Sequence, residues 1–264
     1  MNLLKLFSLI SAPLLLAQLA GAAVSINFNS AVVNPVPPAS AANFAPQLAW
    51  TISDPRVDLS FVLGVSSYGA AGKSVGLGGF YEDPTGASVR LSTAVSESLA
   101  SKTFSVDLAL INRFAANPGS FLNEDDRFAI VLSDGTDLLR VSFSPTPDEN
   151  SRRVAVNGTP LTPFGIVASD YNNPQWYTLG ISFTPRGLDL DYSLTMAGGS
   201  ITNSGTLPNK SGATLSGLAV DFDRLGATAG SNFLLVDNFS VVPEPTVGIT
   251  GLMALGLIGL RRRR

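Results

Sequence analysis

RFAIVLSDGTDLLRVSF, Arg127 to Phe143, decides the fold of this chain. Phe128, Ile130 and Leu132 alternate with smaller or polar neighbours. Ser133 to Asp137 are turn-forming residues. Leu139, Val141 and Phe143 then alternate back. A period of two on both sides of a short Asp-Gly turn is the pattern of a β-hairpin with one face in a core. A helix would need a long apolar repeat of about 3.6 residues with caps, and no stretch of the body shows one.

The same period extends outward in both directions. In TFSVDLALIN, Phe104, Val106, Leu108 and Leu110 share one face, with Ser105 and Asp107 on the other. WYTLGISFTPRGLDLDYSLTM, from Trp176, reads as a second hairpin. Pro185 presets its turn and Gly187 takes the positive φ beyond it. Further strands are expected at 24–29, 47–52, 59–65, 74–80, 87–92, 214–223 and 232–242. Thr93–Ser101 is the nearest approach to a helix in the body, a polar segment ahead of a strand. Residues 30–46 are Pro/Ala-rich and read as a surface loop or arm. Many short strands separated by Gly, Pro, Asn and Asp predict an all-β chain, an antiparallel β-sandwich of the jelly-roll kind.

Both ends differ from this body. Lys5 precedes the apolar run Leu6–Leu19, and Ala20-Gly21-Ala22 supplies small residues, so residues 1–22 read as a signal peptide, helical in its apolar part, cleaved at Ala20-x-Ala22. The last 22 residues hold Pro243-Glu244-Pro245, an apolar run Val247–Leu260, and Arg261, Arg262, Arg263 and Arg264. Fourteen residues span about 21 Å as a helix, short of a hydrocarbon core of about 30 Å. The arginines resist translocation, so this reads as a marginal C-terminal transmembrane helix with its tail in the cytoplasm. Two prolines just outside it favour an extended, accessible backbone. The expected organisation is 1–22 leader, 23–242 sandwich and 243–264 tail.

Charge and composition exclude several classes. Without the two ends the chain loses Lys5 and four arginines from its 17 basic residues and Glu244 from its 20 acidic ones. That leaves 12 against 19, a net charge of −7. A body of that sign is a poor nucleic-acid binder, which needs a clustered basic surface. Cysteine and histidine are absent. Thiol nucleophiles, Cys-ligated metals, and the commonest general base and transition-metal ligand go with them.

The body resembles the concanavalin A-like, or laminin-G-like, jelly-roll group. Trp176-Tyr177-Thr178-Leu179-Gly180-Ile181-Ser182-Phe183 and the final strand Phe233 to Val242, with Val236-Asp237-Asn238-Phe239-Ser240-Val241, carry that resemblance. The tail is similar to a PEP-CTERM sorting signal. This resemblance implies a Gram-negative source, an exosortase that recognises Pro243, Glu244 and Pro245, the arginines Arg261–Arg264 as the cytoplasmic stop, and an association with extracellular polysaccharide or biofilm. It implies an exported protein, held in the inner membrane through its C-terminus before processing and at the cell surface or outside afterwards. A permanent anchor is the plainer reading of the same residues.

Chemistry in the body is sparse. Asp189 and Asp191 lie two apart on one strand face, and glycoside hydrolysis needs two carboxyls about 5–10 Å apart. The Glu-x-Asp-x-x-Glu strand of glycosidase relatives is missing, however. Asn123-Glu124-Asp125-Asp126 and Asp134-Gly135-Thr136-Asp137 are oxygen-rich. Calcium takes six to eight oxygens, so Asp125, Asp126, Asp134 and Asp137 are calcium candidates, although the same residues make ordinary turns. No serine sits in a nucleophile elbow, and Gly76-Leu77-Gly78-Gly79 lacks the setting of a phosphate loop. Asp221 and Asp223 flank Phe222 and are expected to face solvent. Trp176, Tyr177, Tyr171 and Tyr68 could stack on sugars or serve as core and rim aromatics. The expectation is a non-catalytic exported β-sandwich without a cofactor, acting at the cell surface or in a polysaccharide matrix and binding glycan. The alternatives are a carbohydrate-active enzyme and a purely structural matrix protein.

Overall fold

The computed structural model describes residues 24–28, 50–53, 60–63, 73–78, 88–112, 126–145, 151–161, 166–167, 169, 173–197, 201–224 and 232–243. The leader with Ala20 and Ala22, residues 30–46, Tyr68, Tyr171, Asp125 and everything from Glu244 onward, including Pro245 and Arg261–Arg264, lie outside them. The described residues contain no helix, and hence none long and apolar enough to cross a membrane.

Among the described residues sixteen strands form two antiparallel sheets. In chain order they are β1 Val24–Ile26, β2 Thr51–Ile52, β3 Ser60–Leu63, β4 Ser74–Gly78, β5 Ser88–Ser98 and β6 Lys102–Asn112. Then come β7 Asp126–Ser133, β8 Asp137–Pro145, β9 Ser151–Val156, β10 Thr159–Pro160 and β11 Ile166–Val167. The last are β12 Tyr177–Arg186, β13 Asp189–Ala197, β14 Ile201–Leu207, β15 Thr214–Arg224 and β16 Asn232–Pro243. Sheet A has the order β14-β13-β12-β6-β16-β4-β3, with β1 also on β16. Sheet B has the order β10-β9-β8-β7-β15-β5-β2, with β11 also on β9.

The alternating apolar residues of both sheets meet in one core. Phe104, Leu108, Ile181 and Leu194 of sheet A join Phe128, Ile130, Val141 and Phe222 of sheet B in a single buried cluster. Each fully buried side chain of this size is worth about 1.5–3 kcal/mol of hydrophobic stabilisation. Two faces of period-two strands closed on each other make the antiparallel sandwich that the hairpin pattern predicts.

Local chemistry explains the deviations. Thr93–Ser98 continues β5 beside β15 across a register shift, instead of leaving the sheet. Pro185 is not in a turn. It pairs with Leu190 inside the second hairpin, beyond the end of the β6 ladder at Phe183, where a missing N–H costs nothing. The turn is the pair Gly187-Leu188, with Gly187 at φ 65, the position where a two-residue II′ turn needs a positive φ. Asn157 (φ 47) and Gly158 (φ 82) turn β9 into β10. Asn-Gly is the pair that a two-residue turn with two positive φ angles prefers. β14, ITNSGTL, has weak strand propensity. It is held by β13, and Tyr192 lies over Gly205, its direct partner. β16 runs one residue past Val242, with Pro243 in register with Lys102. The ladder therefore ends at the first residue of the Pro-Glu-Pro triplet.

Candidate functional site

The described surface has a polar cavity of about 430 Å³ on the outer face of sheet A. It is lined by Ser25, Ser105, Asp107, Trp176, Thr178, Asn238 and Ser240. Four strands supply it. Ser105 and Asp107 come from β6, Thr178 from β12 with Trp176 just before it, Ser240 and Asn238 from β16, and Ser25 from β1. The alternation that buries Phe104, Val106 and Leu108 turns Ser105 and Asp107 outward, as their spacing predicts.

A bulge shapes the centre of this cavity. In the β16–β6 ladder Asp237 faces Asp107 and Ser240 faces Ser105, so β16 carries one residue more than β6 between these pairs. Asn238 takes up the extra residue at φ 51. Left-handed backbone costs a non-glycine residue about 1–2 kcal/mol, and Asn tolerates it best because its short amide bonds locally. Here the Asn238 N–H donates to Asp237 Oδ1 at 2.8 Å, and Asn238 Nδ2 donates to Asp107 Oδ2 at 3.0 Å. Thr178 Oγ1 donates to Asp107 Oδ1 at 2.6 Å. Both oxygens of Asp107 are thus oriented from neighbouring strands.

The core side of the bulge resists relaxation. Phe239 follows Asn238 and is fully buried. Its ring lies 5.5 Å from Trp50, 6.2 Å from Phe28 and 6.3 Å from Phe104. Slipping β16 to remove the bulge would pull Phe239 out of that cluster and move Ser240 into the core. Packing therefore holds the strained residue, and a bulge beside a cavity is where a fold re-aims a side chain. Trp176 is half-buried at the rim, whereas Tyr177 is buried and its hydroxyl accepts from the Val167 N–H at 3.1 Å. Of the four aromatics expected for stacking, the described residues place Trp176 at the cavity and Tyr177 in the core.

The other sequence candidates are tied to cations of the chain itself. Asp191 accepts from Arg186 Nε at 2.7 Å and from Thr206 Oγ1 at 2.6 Å. The Arg186 hydrogen bond holds its carboxyl below the usual range. Asp189 accepts from the Asn209 N–H at 2.9 Å. An ion-paired, readily ionised carboxyl is the opposite of a general acid, whose pKa must be raised. Asp126 pairs with Arg224 inside the protein, with Arg224 Nε at 2.7 Å and both side chains fully buried. Asp134 pairs with Lys210, whose hydrogen bond lowers its pKa, and Asp137 pairs with Arg90 at 3.2 Å. Among the described residues no group of three or more acidic side chains could hold a metal ion. Asp221 does not face solvent as expected. It is 6% exposed, with Arg90 donating to both of its oxygens at 2.7 and 2.8 Å and Arg140 bonded to it as well. Residues 131 positions apart make that contact, and alternation cannot foresee it. A second cavity of about 400 Å³ adjoins this lattice on sheet B, between Arg90, Asp137 and the small residues Ala94, Gly217 and Ala219.

No family model matches the chain, and no curated protein matches it. Solved structures do. The acidic lectin of winged bean, complexed with methyl-α-D-galactose, is similar with 11% identity and TM-score 0.45, over 83% of this chain and 97% of that one. Peanut lectin with a nine-residue peptide is similar with 12% identity and TM-score 0.42, over 84% and 98%. The legume lectin-like domain of Entamoeba histolytica is similar with 11% identity and TM-score 0.43, over 73% and 89%. The two-sheet architecture stands on the strand registers of this chain.

Proposed function

We propose that the chain is a non-catalytic glycan-binding β-sandwich whose binding site is the Trp176 cavity of sheet A. The observation that carries this is the Asp107 carboxylate, oriented from both sides by Thr178 and Asn238 beside a half-exposed indole. A sugar offers adjacent hydroxyls that donate to one carboxylate, and a C–H face that packs on an aromatic ring. Charge-assisted hydrogen bonds are about twice as strong as neutral ones, and Trp brings a large apolar surface with few rotors to fix. Ser105 and Ser240 are hydrogen-bonded to each other at 2.7 Å and add hydroxyls at the cavity floor. Galactose and other neutral monosaccharides, titrated against the chain and its Asp107→Ala variant, test the reading. Saturable binding lost in the variant supports it, and no binding to any sugar removes it.

The termini support a place for this activity. The leader ending at Ala20-x-Ala22 and the tail Pro243-Glu244-Pro245, Val247–Leu260, Arg261–Arg264 fit export followed by exosortase recognition. In that reading the sandwich works at the cell surface or in an extracellular polysaccharide matrix. Intact mass of protein from its native host tests this: a mature chain still carrying Arg261–Arg264 would refute the processing. The rival reading, a carbohydrate-active enzyme using Asp189 and Asp191, predicts turnover of polysaccharide that Asp191→Asn abolishes.

A further inference from the structure

The cavity opens onto a face of unusual composition. Two ladder rows cross sheet A on its outer side. One runs Ser25, Ser240, Ser105, Gly180, Thr195, Thr202, each residue in direct register with the next. The other runs Thr103, Ser182, Ser193, Ser204 in the same way. Nine of these ten positions carry a hydroxyl and none carries a charge. The rows advance about 4.8 Å from strand to strand. The chemistry is regular across β6, β12, β13 and β14, well beyond the cavity.

Solvent and edge positions of sheets are usually protected by charge, above all by Lys, because an exposed edge recruits other strands. Among the described strands β14 is the edge of sheet A, and from Ile201 to Leu207 it has no charged residue and no proline. Its outward residues Thr202, Ser204 and Thr206 are exposed. The fold forgoes the usual protection on this strand, and the described ion pairs of the β12–β13 hairpin, Arg186 with Asp189 and Asp191, stand at its turn end. The hydroxyls are only partly consumed. Thr103 bonds to Ser182 at 2.9 Å and Ser105 to Ser240 at 2.7 Å. Each hydroxyl has one donor and two lone pairs, so every such pair keeps capacity for a ligand.

We infer that these rows extend the binding site, so that the ligand is a neutral polysaccharide chain lying across the strands and not a single terminal sugar. This rests on the cavity reading above and names its substrate class. An uncharged array of alternating donors and acceptors complements a polymer that is itself a neutral array of hydroxyls. It offers nothing to a polyanion, which the net charge of the body also repels. One sugar sits at Asp107 and Trp176, and neighbouring units pass over Gly180, where the missing side chain leaves Thr195 Oγ1 at the surface.

The test is affinity electrophoresis of the full chain in gels holding hydroxyethylcellulose, glucomannan or polygalacturonate, beside titration with a short neutral oligosaccharide. Two variants are compared: Ser193→Ala/Thr195→Val/Thr202→Val/Ser204→Ala on the rows, and Trp176→Ala in the cavity. Both should fold, since all five positions face outward. The row variant should lose about tenfold in retardation by a neutral polymer, several weak hydrogen bonds together, and keep its oligosaccharide affinity. Trp176→Ala should lose both. Unchanged polymer retardation in the row variant overturns the extension and leaves the cavity reading intact. No retardation in either neutral gel and no oligosaccharide binding overturns both. Retardation by polygalacturonate alone assigns the rows to another ligand and overturns the inference.

Discussion

The two outer faces of the sandwich are built on the same backbone and carry opposite chemistries. Sheet A presents rows of serine and threonine, the tethered Asp107 carboxylate, a half-exposed tryptophan and, at one hairpin end, Arg186 with Asp189 and Asp191. Sheet B presents Arg90 and Arg140 bonded to Asp137, Asp221 and Asp223, over small residues such as Ala129 and Ala219, which are buried although they point outward. Inward, the sheets are nearly interchangeable lists of Val, Leu, Ile and Phe. The difference shows that the core decides the architecture while the outward residues vary freely, with most of the described ion pairs on sheet B and the hydroxyl rows on sheet A.

This contrast can be broken in stages. The largest effect is expected at the end of sheet B, inside the core. Asp126→Ala leaves Arg224 charged and buried, a loss of about 3–5 kcal/mol. Asp126→Leu with Arg224→Met should recover most of it, as chemical denaturation of the single and double variants will show. If the single variant costs under 1 kcal/mol, the pair is not the buried one described. Asp221→Ala is next, at about 2–3 kcal/mol, because it removes the carboxylate that Arg90 and Arg140 share and leaves them the more exposed Asp137 and Asp223. Asn238→Val should cost about 1–2 kcal/mol through its left-handed backbone, and it also removes the amide that steadies Asp107.

Acid produces a smaller, distributed effect. Arg186 and Lys210 hold Asp191 and Asp134 below the ordinary value of 3.8. Their contribution is therefore complete above about pH 3.8 and is lost as pH falls through the depressed values. Lys210→Met should flatten that part of the stability curve and leave stability above pH 5 within about 0.5 kcal/mol. The smallest effect belongs to sheet A. Ser193→Ala or Ser204→Ala should change thermal stability by less than about 0.5 kcal/mol, which fits residues kept for what they bind and not for what they hold.

Much of the architecture was legible because it repeats. Phe128-x-Ile130-x-Leu132 and its mirror at Leu139, Val141 and Phe143 state a buried face in few residues, and Ser105 and Asp107 were placed on the outer face by the same logic. Thr93–Ser98 and Ile201–Leu207 were not legible, since polar residues on both faces leave no contrast to read and only a neighbouring strand makes them strands. The site was half visible. Trp176, Thr178 and Asn238 lay inside or beside the alternating stretches 176–183 and 233–242 that read as strands. Their meeting with Asp107 depends on strand order, and the bulge at Asn238 depends on a register that Phe239 sets from inside the core. The Asp-rich turns depend on the same kind of fact: the cations paired with Asp126 and Asp134 are Arg224 and Lys210, 98 and 76 residues away.

The chain has two tryptophans. Trp50 is 2% exposed in the aromatic cluster, and Trp176 stands at the cavity rim. Fluorescence titration with neutral oligosaccharides therefore reports on the proposed site almost alone. The account predicts a saturable change in emission that vanishes in Trp176→Phe and weakens about tenfold or more in Asp107→Ala. Binding that persists unchanged in both variants, or no response to any neutral sugar, would contradict it.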